Sequence, residues 1–482
     1  MHTGANLING EWTDEGGAGR TPDVNPGDID DVVAEVPNLD AGQVKAALEA
    51  AAKAFTSWRS TSPVVRGEIL RQAGGALRRD VDRIADLLRR EAGKPMADAR
   101  GEVLKSAEFL EYYGGLGRAA MGEVLPDGRP GVTSRTLHEP LGVVVAITPW
   151  NDPLLTPARK LGPALITGNT VVLKPATDTP LVSQQLAGAF AEAGLPAGVL
   201  NTVTGRGGDI GAALTRAPEV AAVTFTGSTD VGKQLRELLA PSSTRLQTEM
   251  GGKNAMVVMP DADLELAAET VVAAAFGGCG QRCTATSRLI LHEDIHDNFL
   301  ELLSEAMGRI RIGPTSSPET TYGPVVSRSQ LDSVLAALDQ ARSDGGKVVR
   351  GGDRLTGSPL DRGFYIDPAL VLVDTEARLW REEVFGPVLA VSRAGTLEEA
   401  ISLVNRSNYG LSAGIFTRDL SASETFIASV NTGQVAVNLP TSGWDAHLPF
   451  GGFKDSGSLF KEQGTAGLDF YRRLKTISVR AR

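Results

Sequence analysis

A glycine-rich turn near the middle of the chain carries a cysteine suited to nucleophilic chemistry. Cys283 follows Gly277, Gly278 and Gly280, and the turn separates an apolar, helix-like run from a strand-like run. Glycines let the backbone bend tightly and let a flat ligand approach it closely. A thiol has an ordinary pKa of about 8.5, so it needs help to react as a thiolate at neutral pH. The turn therefore predicts a thiol nucleophile and a group elsewhere that assists it.

Two carboxylates stand beside glycine or aromatic residues in the way that functional acids often do. Glu249 comes just before a pair of glycines, and within reach of the cysteine it could activate a water molecule. Glu383 is followed closely by Phe385 and offers a second carboxylate with an aromatic ring. When each glutamate is considered alone, a structural role is the favoured interpretation.

Two polar residues follow predicted buried strands, where parallel sheets bind ligands. Asn151 comes after the strand predicted at 142–147, and its amide could donate to an oxyanion. Lys174 follows the strand predicted at 171–173 and could hold ribose hydroxyls or a phosphate. A proline-rich turn and a solvated surface lysine are the simpler explanations of these two residues when each is considered alone.

A strand-to-helix junction at Gly227 and Ser228 is a candidate anion site. Backbone N–H groups and the positive end of a helix dipole bind anions such as a pyrophosphate. An ordinary helix cap by Ser228 explains the segment equally well. The glycine pattern over residues 205–211 is of dinucleotide type, but a plain loop is at least as good an interpretation.

Composition limits the classes of function. The 482 residues allow two or three domains, and 42% hydrophobic with 22% charged residues is typical of a globular protein. A net charge of −10 argues against nucleic acid or an anionic membrane as a partner. The only cysteines are Cys279 and Cys283, which excludes a disulfide framework, and the five scattered histidines make a metal site improbable. With no signal-peptide pattern at the start, we expect a cytoplasmic protein.

Short apolar strands alternate with helical patterns along most of the chain, which predicts an α/β protein with parallel, doubly wound sheets. Helices are expected over residues 41–60, 62–95, 102–116, 157–167, 181–193, 230–239, 263–276, 294–309, 328–343, 396–405 and 420–430. Strands are expected over 142–147, 171–173, 198–203, 221–225, 255–259, 287–292, 347–350, 388–392, 412–416 and 434–438. Residues 122–140 predict a hairpin or extended excursion, and 474–479 a final strand outside both sheets.

Seven motifs in order resemble the aldehyde dehydrogenase superfamily over nearly the whole chain. They are Pro149-Trp150-Asn151, Lys174-Pro175-Ala176, Phe225-Thr226-Gly227-Ser228, Glu249-Met250-Gly251-Gly252-Lys253-Asn254, Gly280-Gln281-Arg282-Cys283, Glu383-Val384-Phe385-Gly386-Pro387 and Pro449-Phe450-Gly451-Gly452. The resemblance implies a Rossmann-like cofactor domain (1–122 and 141–251), an α/β catalytic domain (252–440) and a small β oligomerisation arm (123–140 and 465–482). It also implies a homodimer or homotetramer.

The resemblance assigns roles by motif. Cys283 would be the nucleophile, Asn151 with the Cys283 backbone N–H the oxyanion hole, and Glu249 the base for the deacylating water. Lys160 and Glu462 match charged positions linked to proton movement. The cofactor, NAD or NADP, would be held by Trp150, Lys174, Thr177, Gly227, Ser228, Glu383 and Phe385. Many NAD-preferring members carry Glu where this chain has Thr177, so we expect NADP to be accepted, although the neighbouring Asp178 would oppose this.

The expected substrate is a small-molecule aldehyde with a distal carboxylate. Arg159 resembles the arginine with which semialdehyde dehydrogenases hold that carboxylate, a bidentate task that suits arginine. Asp152 occupies a position that is usually aromatic, and it could instead neutralise Arg159; Arg282 is a third candidate substrate contact. The sequence around Cys283 looks most like 2-oxoglutarate semialdehyde dehydrogenases, with succinate semialdehyde as the second candidate substrate.

Three other functions stay open at this point. A CoA-acylating dehydrogenase would not need a hydrolytic base, and Glu249 argues against it. An aromatic or aliphatic aldehyde dehydrogenase is the second, and Asp152 and an aromatic content of only 5% argue against the aromatic one without excluding it. A catalytically inert homologue usually loses its nucleophile or base, and here both Cys283 and Glu249 remain.

Overall fold

The computed structural model describes residues 4–480. The helices are α1 (Ala41–Trp58), α2 (Pro63–Arg79), α3 (Val81–Ala92), α4 (Met96–Gly115), α5 (Leu155–Ile166), α6 (Pro180–Glu192), α7 (Gly207–Thr215), α8 (Thr229–Leu239), α9 (Leu264–Phe276), α10 (His296–Met307), α11 (Arg328–Ser343), α12 (Arg378–Arg381), α13 (Leu397–Asn405) and α14 (Leu420–Ser429). The strands are β1 (Asn6–Ile8), β2 (Glu11–Thr13), β3 (Arg20–Val24), β4 (Val32–Pro37), β5 (Val124–Leu125), β6 (Val132–Pro140), β7 (Val143–Ile147), β8 (Thr170–Lys174), β9 (Leu200–Thr202), β10 (Val220–Thr226), β11 (Arg245–Glu249), β12 (Asn254–Val258), β13 (Thr286–His292), β14 (Lys347–Arg350), β15 (Ala369–Leu372), β16 (Val388–Ala394), β17 (Tyr409–Gly410), β18 (Ser412–Phe416), β19 (Gln434–Val437), β20 (Phe453–Lys454) and β21 (Arg472–Arg480). The strands and helices predicted in the doubly wound regions are confirmed, with small shifts of their ends.

A five-stranded parallel sheet forms the first half of the molecule, in the order β11-β10-β7-β8-β9. Successive side chains of β7 point to opposite faces, and both faces are buried. Val144 and Ala146 join a core that includes residues of α2 to α6, whereas Val143 and Val145 join a second core with residues of α1 and α7. The near-continuous apolar sequence of this strand follows from burial on both sides.

A seven-stranded sheet forms the second half, in the order β14-β15-β16-β13-β12-β18-β19. Strand β14 runs antiparallel to β15, and the other neighbouring pairs are parallel. Its central strands and the helices around them share one apolar core, which includes Val257, Leu289, Phe299 and Leu389. The two halves therefore have separate hydrophobic cores, as expected for two α/β units.

A small antiparallel sheet stands apart from both large ones, in the order β21-β6-β5. Strand β21 pairs with β6 along its whole length, from Arg472 opposite Pro140 to Arg480 opposite Val132. The predicted hairpin and the predicted terminal strand are thus confirmed, and they belong to the same sheet. Within residues 4–480, no helix is both long enough and apolar enough to cross a membrane.

Candidate active site

The candidate residues meet in a cavity of about 680 Å³ between the two large sheets. The first sheet contributes the ends of β10 and β11 and the loop after β7, and the second contributes the segments before β13 and β16. Of the residues predicted from sequence, the cavity is lined by Trp150, Asn151, Asp152, Arg159, Gly227, Ser228, Glu249, Arg282, Cys283, Glu383 and Phe385. Lys174 and Thr177 are not part of this lining.

The turn before Cys283 is fixed by backbone geometry and by one amide. Gly278 and Gly280 have φ angles of 60° and 65°, a left-handed conformation that favours glycine. A Cβ atom on Gly280 would lie 2.4 Å from the carbonyl oxygen of Gly386, so the close approach to this segment requires glycine. Asn254 Nδ2 donates to the Cys283 carbonyl at 2.7 Å. Burial raises the pKa of the Cys283 thiol to about 12, although the Arg159 charge partly opposes this, so the resting group is a neutral thiol.

Glu249 ends β11 with its carboxyl group buried in the same cavity. Among the described residues, neither of its side-chain oxygens has a hydrogen-bond partner. Burial and the negative charge of Glu462 raise the pKa of Glu249 well above its ordinary value, which Lys160 partly offsets. A Cβ on Gly451 would lie 2.5 Å from Oε1, so that segment must pass close to the carboxyl. Such a carboxyl holds its proton to higher pH than an exposed glutamate, and its oxygens are free to bind a water molecule.

The loop that carries Asn151 is held by hydrogen bonds to the two residues that follow it. Ser183 Oγ donates to the Pro153 carbonyl at 2.8 Å, and the Thr156 N–H donates to the Asp152 carbonyl at 3.0 Å. Asn151 itself is 9% exposed and lines the cavity. These bonds hold the segment that brings the Asn151 amide into the cavity that Cys283 also lines.

Arg159 projects into the cavity from the first turns of α5. Its guanidinium lies 4.7 Å from the centre of the Phe450 ring and 3.8 Å from the Glu462 carboxylate. In the orientation that satisfies its amide, Gln463 accepts a hydrogen bond from Arg159 Nε at 3.2 Å. Asp152 pairs with Lys94, at 2.8 Å, and residues 4–480 contain no ion pair between Asp152 and Arg159.

Another group of cavity-lining residues could hold a dinucleotide cofactor. Ser228 Oγ caps α8 by accepting from the Val231 N–H at 3.4 Å. Glu383 accepts from the Gly252 N–H at 2.9 Å, and burial raises the pKa of this carboxyl to about 7. The rings of Trp150 and Phe385 meet edge to face with centroids 5.3 Å apart.

Lys174 is buried at the end of β8, outside the cavity lining. Its Nζ donates to the neighbouring Pro175 carbonyl at 3.1 Å, and burial lowers its pKa to about 8, with partial compensation from Asp178. The glycine pattern at 205–211 leads into α7, and none of these residues lines the cavity.

Two residues that shape the site, Lys94 and Glu102, were not singled out from the sequence. Both line the cavity. Lys94 and Glu102 belong to the helical region before the first sheet, and they contact the Asn151 loop only across 50 or more positions of sequence. No local pattern marks such a contact.

Lys160 and Glu462 form a buried ion pair next to the cavity. Lys160 Nζ also donates to Thr224 Oγ1 at 2.8 Å, and that hydroxyl donates to Gln247 Oε1 at 2.9 Å. Cys279 points elsewhere, because its thiol donates to the Gly323 carbonyl at 3.1 Å. Among the described residues, no cluster of three or more His, Cys, Asp or Glu could hold a metal ion.

Two α/β units that share a cleft holding a thiol, a carboxyl and an amide are typical of cofactor-dependent enzymes with a covalent step. The chain belongs to the aldehyde dehydrogenase family, whose model matches residues 12–477. It is an oxidoreductase of that family.

Two named relatives and one solved structure are similar to this chain over nearly its whole length. The chain is 39% identical to the alpha-ketoglutaric semialdehyde dehydrogenase of Bacillus subtilis, over 100% of this chain and 99% of the relative. It is 42% identical to the 2,5-dioxopentanoate dehydrogenase of Saccharolobus solfataricus, over 94% of this chain and 95% of the relative. The indole-3-acetaldehyde dehydrogenase of P. syringae, solved with NAD⁺ and IAA, superposes with a TM-score of 0.95 at 35% identity, covering 99% of this chain and 97% of that one.

Proposed function

We propose that the protein oxidises a dicarboxylic semialdehyde, with 2-oxoglutarate semialdehyde ahead of succinate semialdehyde, to the dicarboxylate. The observation that carries the proposal is Arg159, which lies in the same cavity as the Cys283 thiol and whose ion pair with Glu462, at 3.8 Å, is too long for a hydrogen bond. Because the nearest carboxylate to Arg159 is 3.8 Å away, the guanidinium keeps donors for an anionic substrate group. Two relatives of about 40% identity are named for this substrate.

The proposed chemistry begins at Cys283. The thiol loses its proton, the sulfur adds to the aldehyde carbon, and a tetrahedral thiohemiacetal forms. Asn151 and the Cys283 backbone N–H stabilise the oxyanion. Departure of hydride leaves a thioester, and water then attacks its carbonyl carbon, which releases the carboxylate and restores the thiol.

Glu249 is the proposed base for that water. Its raised pKa makes it a stronger base than an exposed carboxylate, and its oxygens are free of protein partners within residues 4–480. Proton transfer onward would use the buried pair of Lys160 and Glu462. A hydrolytic base in this place favours release of a free acid over transfer to CoA.

A nicotinamide dinucleotide is the proposed cofactor, and it accepts the hydride when bound. The residues present fit such a group: α8 presents its N-terminus to the cavity, and the buried Thr226 hydroxyl has no hydrogen-bond partner among the described residues. Gly227 and Ser228 would contact the pyrophosphate, Glu383 and Lys174 the two riboses, and Trp150 and Phe385 would pack beside them. Thr177 carries no charge to repel a 2′-phosphate, so the proposal includes NADP as well as NAD.

The proposed domain division follows the sheets. Residues 1–122 and 141–251 would form the cofactor domain around the five-stranded sheet, and 252–440 the catalytic domain around the seven-stranded sheet. Residues 123–140 and 465–482 would form the oligomerisation arm. A cytoplasmic location belongs to the same proposal.

The test is a panel of aldehydes with each cofactor, followed by absorbance of the reduced nicotinamide. The panel holds 2-oxoglutarate semialdehyde, succinate semialdehyde, benzaldehyde and hexanal, each with and without CoA. We expect the highest kcat/KM with the two semialdehydes and no stimulation by CoA. A preference for benzaldehyde or hexanal would contradict the proposed substrate class. No activity with any aldehyde of the panel would support the alternative that the protein is a catalytically inert homologue.

An Arg159→Leu variant tests the anchor itself. The KM for both semialdehydes should rise by roughly a hundredfold, because a charge-assisted bidentate contact is lost, whereas hexanal should be affected far less. Arg216→Leu, at an exposed position after α7, is the matched control and should behave as wild type. An equal loss with all aldehydes would show that Arg159 does not bind the carboxylate.

A further inference from the structure

A cluster of three charged residues, Lys94, Glu102 and Asp152, lies in the wall of the cavity. Lys94 Nζ is 2.5 Å from the Glu102 carboxylate and 2.8 Å from the Asp152 carboxylate. The side chains of Lys94 and Glu102 are only 14% and 4% exposed, and that of Asp152 is 26% exposed. Lys94 therefore bridges two acids in surroundings that screen charge poorly.

The cluster joins three separate pieces of the chain at the loop that carries Asn151. Lys94 stands between α3 and α4, Glu102 is on α4, and Asp152 follows β7. The second oxygen of Glu102 accepts from the N–H groups of Leu154 and Leu155, at 2.9 and 3.1 Å. Because these N–H groups begin α5, Glu102 supplies the cap that α5 does not obtain from its own sequence.

The charges of the cluster explain why the Asp152 carboxylate does not pair with Arg159. Burial opposes ionisation of Asp152, but the charge and hydrogen bond of Lys94, together with smaller contributions from Arg282 and Arg159, lower the pKa of this carboxyl. Asp152 is thus an anion at neutral pH, and its hydrogen-bonded partner is Lys94. Without Lys94 the cavity wall would carry two carboxyl groups with no lysine between them, and Arg282 and Arg159 are the other cations whose charge acts on Asp152.

We propose that Lys94 is a specificity-determining positioning residue, which holds Asp152 in an ion pair and thereby leaves Arg159 available to a substrate carboxylate. The inference rests on the proposed function. Lys94 acts through Asp152 and makes no contact with the reacting atoms. Its role predicts an effect on the binding of carboxylate-bearing aldehydes that a neutral aldehyde of the same length does not share.

The test compares succinate semialdehyde with butanal in the wild type, Lys94→Met, Asp152→Asn and the double variant. Lys94→Met should raise KM for the semialdehyde roughly tenfold, with kcat and the KM for butanal changed by less than about twofold. Adding Asp152→Asn should restore the semialdehyde KM to within about twofold of wild type, since it removes the carboxylate that competes with the substrate for Arg159. Higher salt should narrow the difference between Lys94→Met and wild type.

Several outcomes would overturn the inference. If Lys94→Met weakened both aldehydes equally, or if the double variant showed no recovery, Lys94 would have only a structural role. If Lys94→Met did not fold, Asp152→Asn alone decides: its KM for succinate semialdehyde should fall about threefold with butanal unchanged, and a rise would refute the idea. A wild type with no preference for the semialdehyde would refute the proposed function together with this inference. If the wild type prefers the semialdehyde but its KM is the same in all four proteins, only the inference is refuted.

Discussion

The two cysteines lie four positions apart but in different surroundings. Cys283 lines the cavity, whereas the Cys279 thiol donates to a backbone carbonyl on the other side of the turn. Cys283→Ala should lower kcat by roughly 10³-fold or more, because no other group in the cavity can form the thioester. Cys279→Ala is the matched control, with kcat expected within about twofold of wild type. Equal losses in steady-state assays of both variants would contradict the assignment of the nucleophile.

The protonation of Glu249 predicts a pH profile. Burial raises its pKa, so the carboxyl stays protonated further toward neutral pH than an exposed glutamate. Because only the ionised form can accept a proton from water, kcat should rise with pH through this raised pKa and then level off.

Glu249→Gln provides the check on that profile. The variant should lose the rising limb along with at least about a hundredfold in kcat, and a burst of reduced cofactor should reveal an accumulating thioester. A rising limb that persists in Glu249→Gln would assign the titration to another group, such as Glu383, whose pKa is raised to about 7.

At the scale of elements, the cap of α8 combines a structural and a binding role. Ser228→Ala removes the cap of a helix whose N-terminus faces the cavity, and we expect a loss of about 1 kcal/mol in unfolding free energy together with a higher KM for the cofactor. Asp263→Ala removes a comparable cap from α9, where Asp263 accepts from the Leu266 N–H at 3.2 Å. This control should lose similar stability in thermal unfolding with an unchanged KM. A rise in KM for both variants would attribute the effect to general destabilisation.

The alternating pattern predicted most elements of both large sheets, because buried parallel strands and amphipathic helices leave strong local signals. Strand β11 escaped prediction because its sequence, Arg245-Leu246-Gln247-Thr248-Glu249, is mostly polar. It forms an edge of the five-stranded sheet, paired with β10, and buries the polar residues Gln247, Thr248 and Glu249, so burial left no apolar signal in its sequence. Strand β15 (Ala369–Leu372) was also missed, since four apolar residues after a proline are too few for a clear signal.

The residues of the candidate site also fall into two groups: those that local sequence motifs predict and those that only tertiary contacts reveal. Cys283, Glu249 and Asn151 stand in motifs that can be read from a few neighbouring residues. Lys94 and Glu102 became visible only through the packing of α4 against the loop after β7. The sequence could not decide whether Asp152 pairs with Lys94 or with Arg159. Both side chains are positively charged, and Lys94, which lies far from Asp152 in sequence, meets it only in the folded structure.

At the scale of the whole molecule, the small sheet predicts self-association. Strand β21 is an edge strand, and Leu474 on it is 60% exposed. We expect the wild type to be a dimer or tetramer by light scattering, and Leu474→Glu to shift it to a smaller species. Leu266→Glu, at an exposed position on α9, should leave the mass unchanged. A wild type that is monomeric at micromolar concentration would contradict the arm's predicted role.

The proposed nucleophile and base are held by different sheets. Glu249 closes a strand of the five-stranded sheet, and Cys283 precedes a strand of the seven-stranded sheet, so their alignment depends on how two separately cored halves dock. A small displacement of one half relative to the other would stop turnover while every helix and strand stayed folded. In mild urea or on warming, the enzyme is thus expected to lose activity before its secondary structure unfolds. A ligand that contacts both sides of the cleft is expected to lengthen the half-life of activity, because it holds the two halves together.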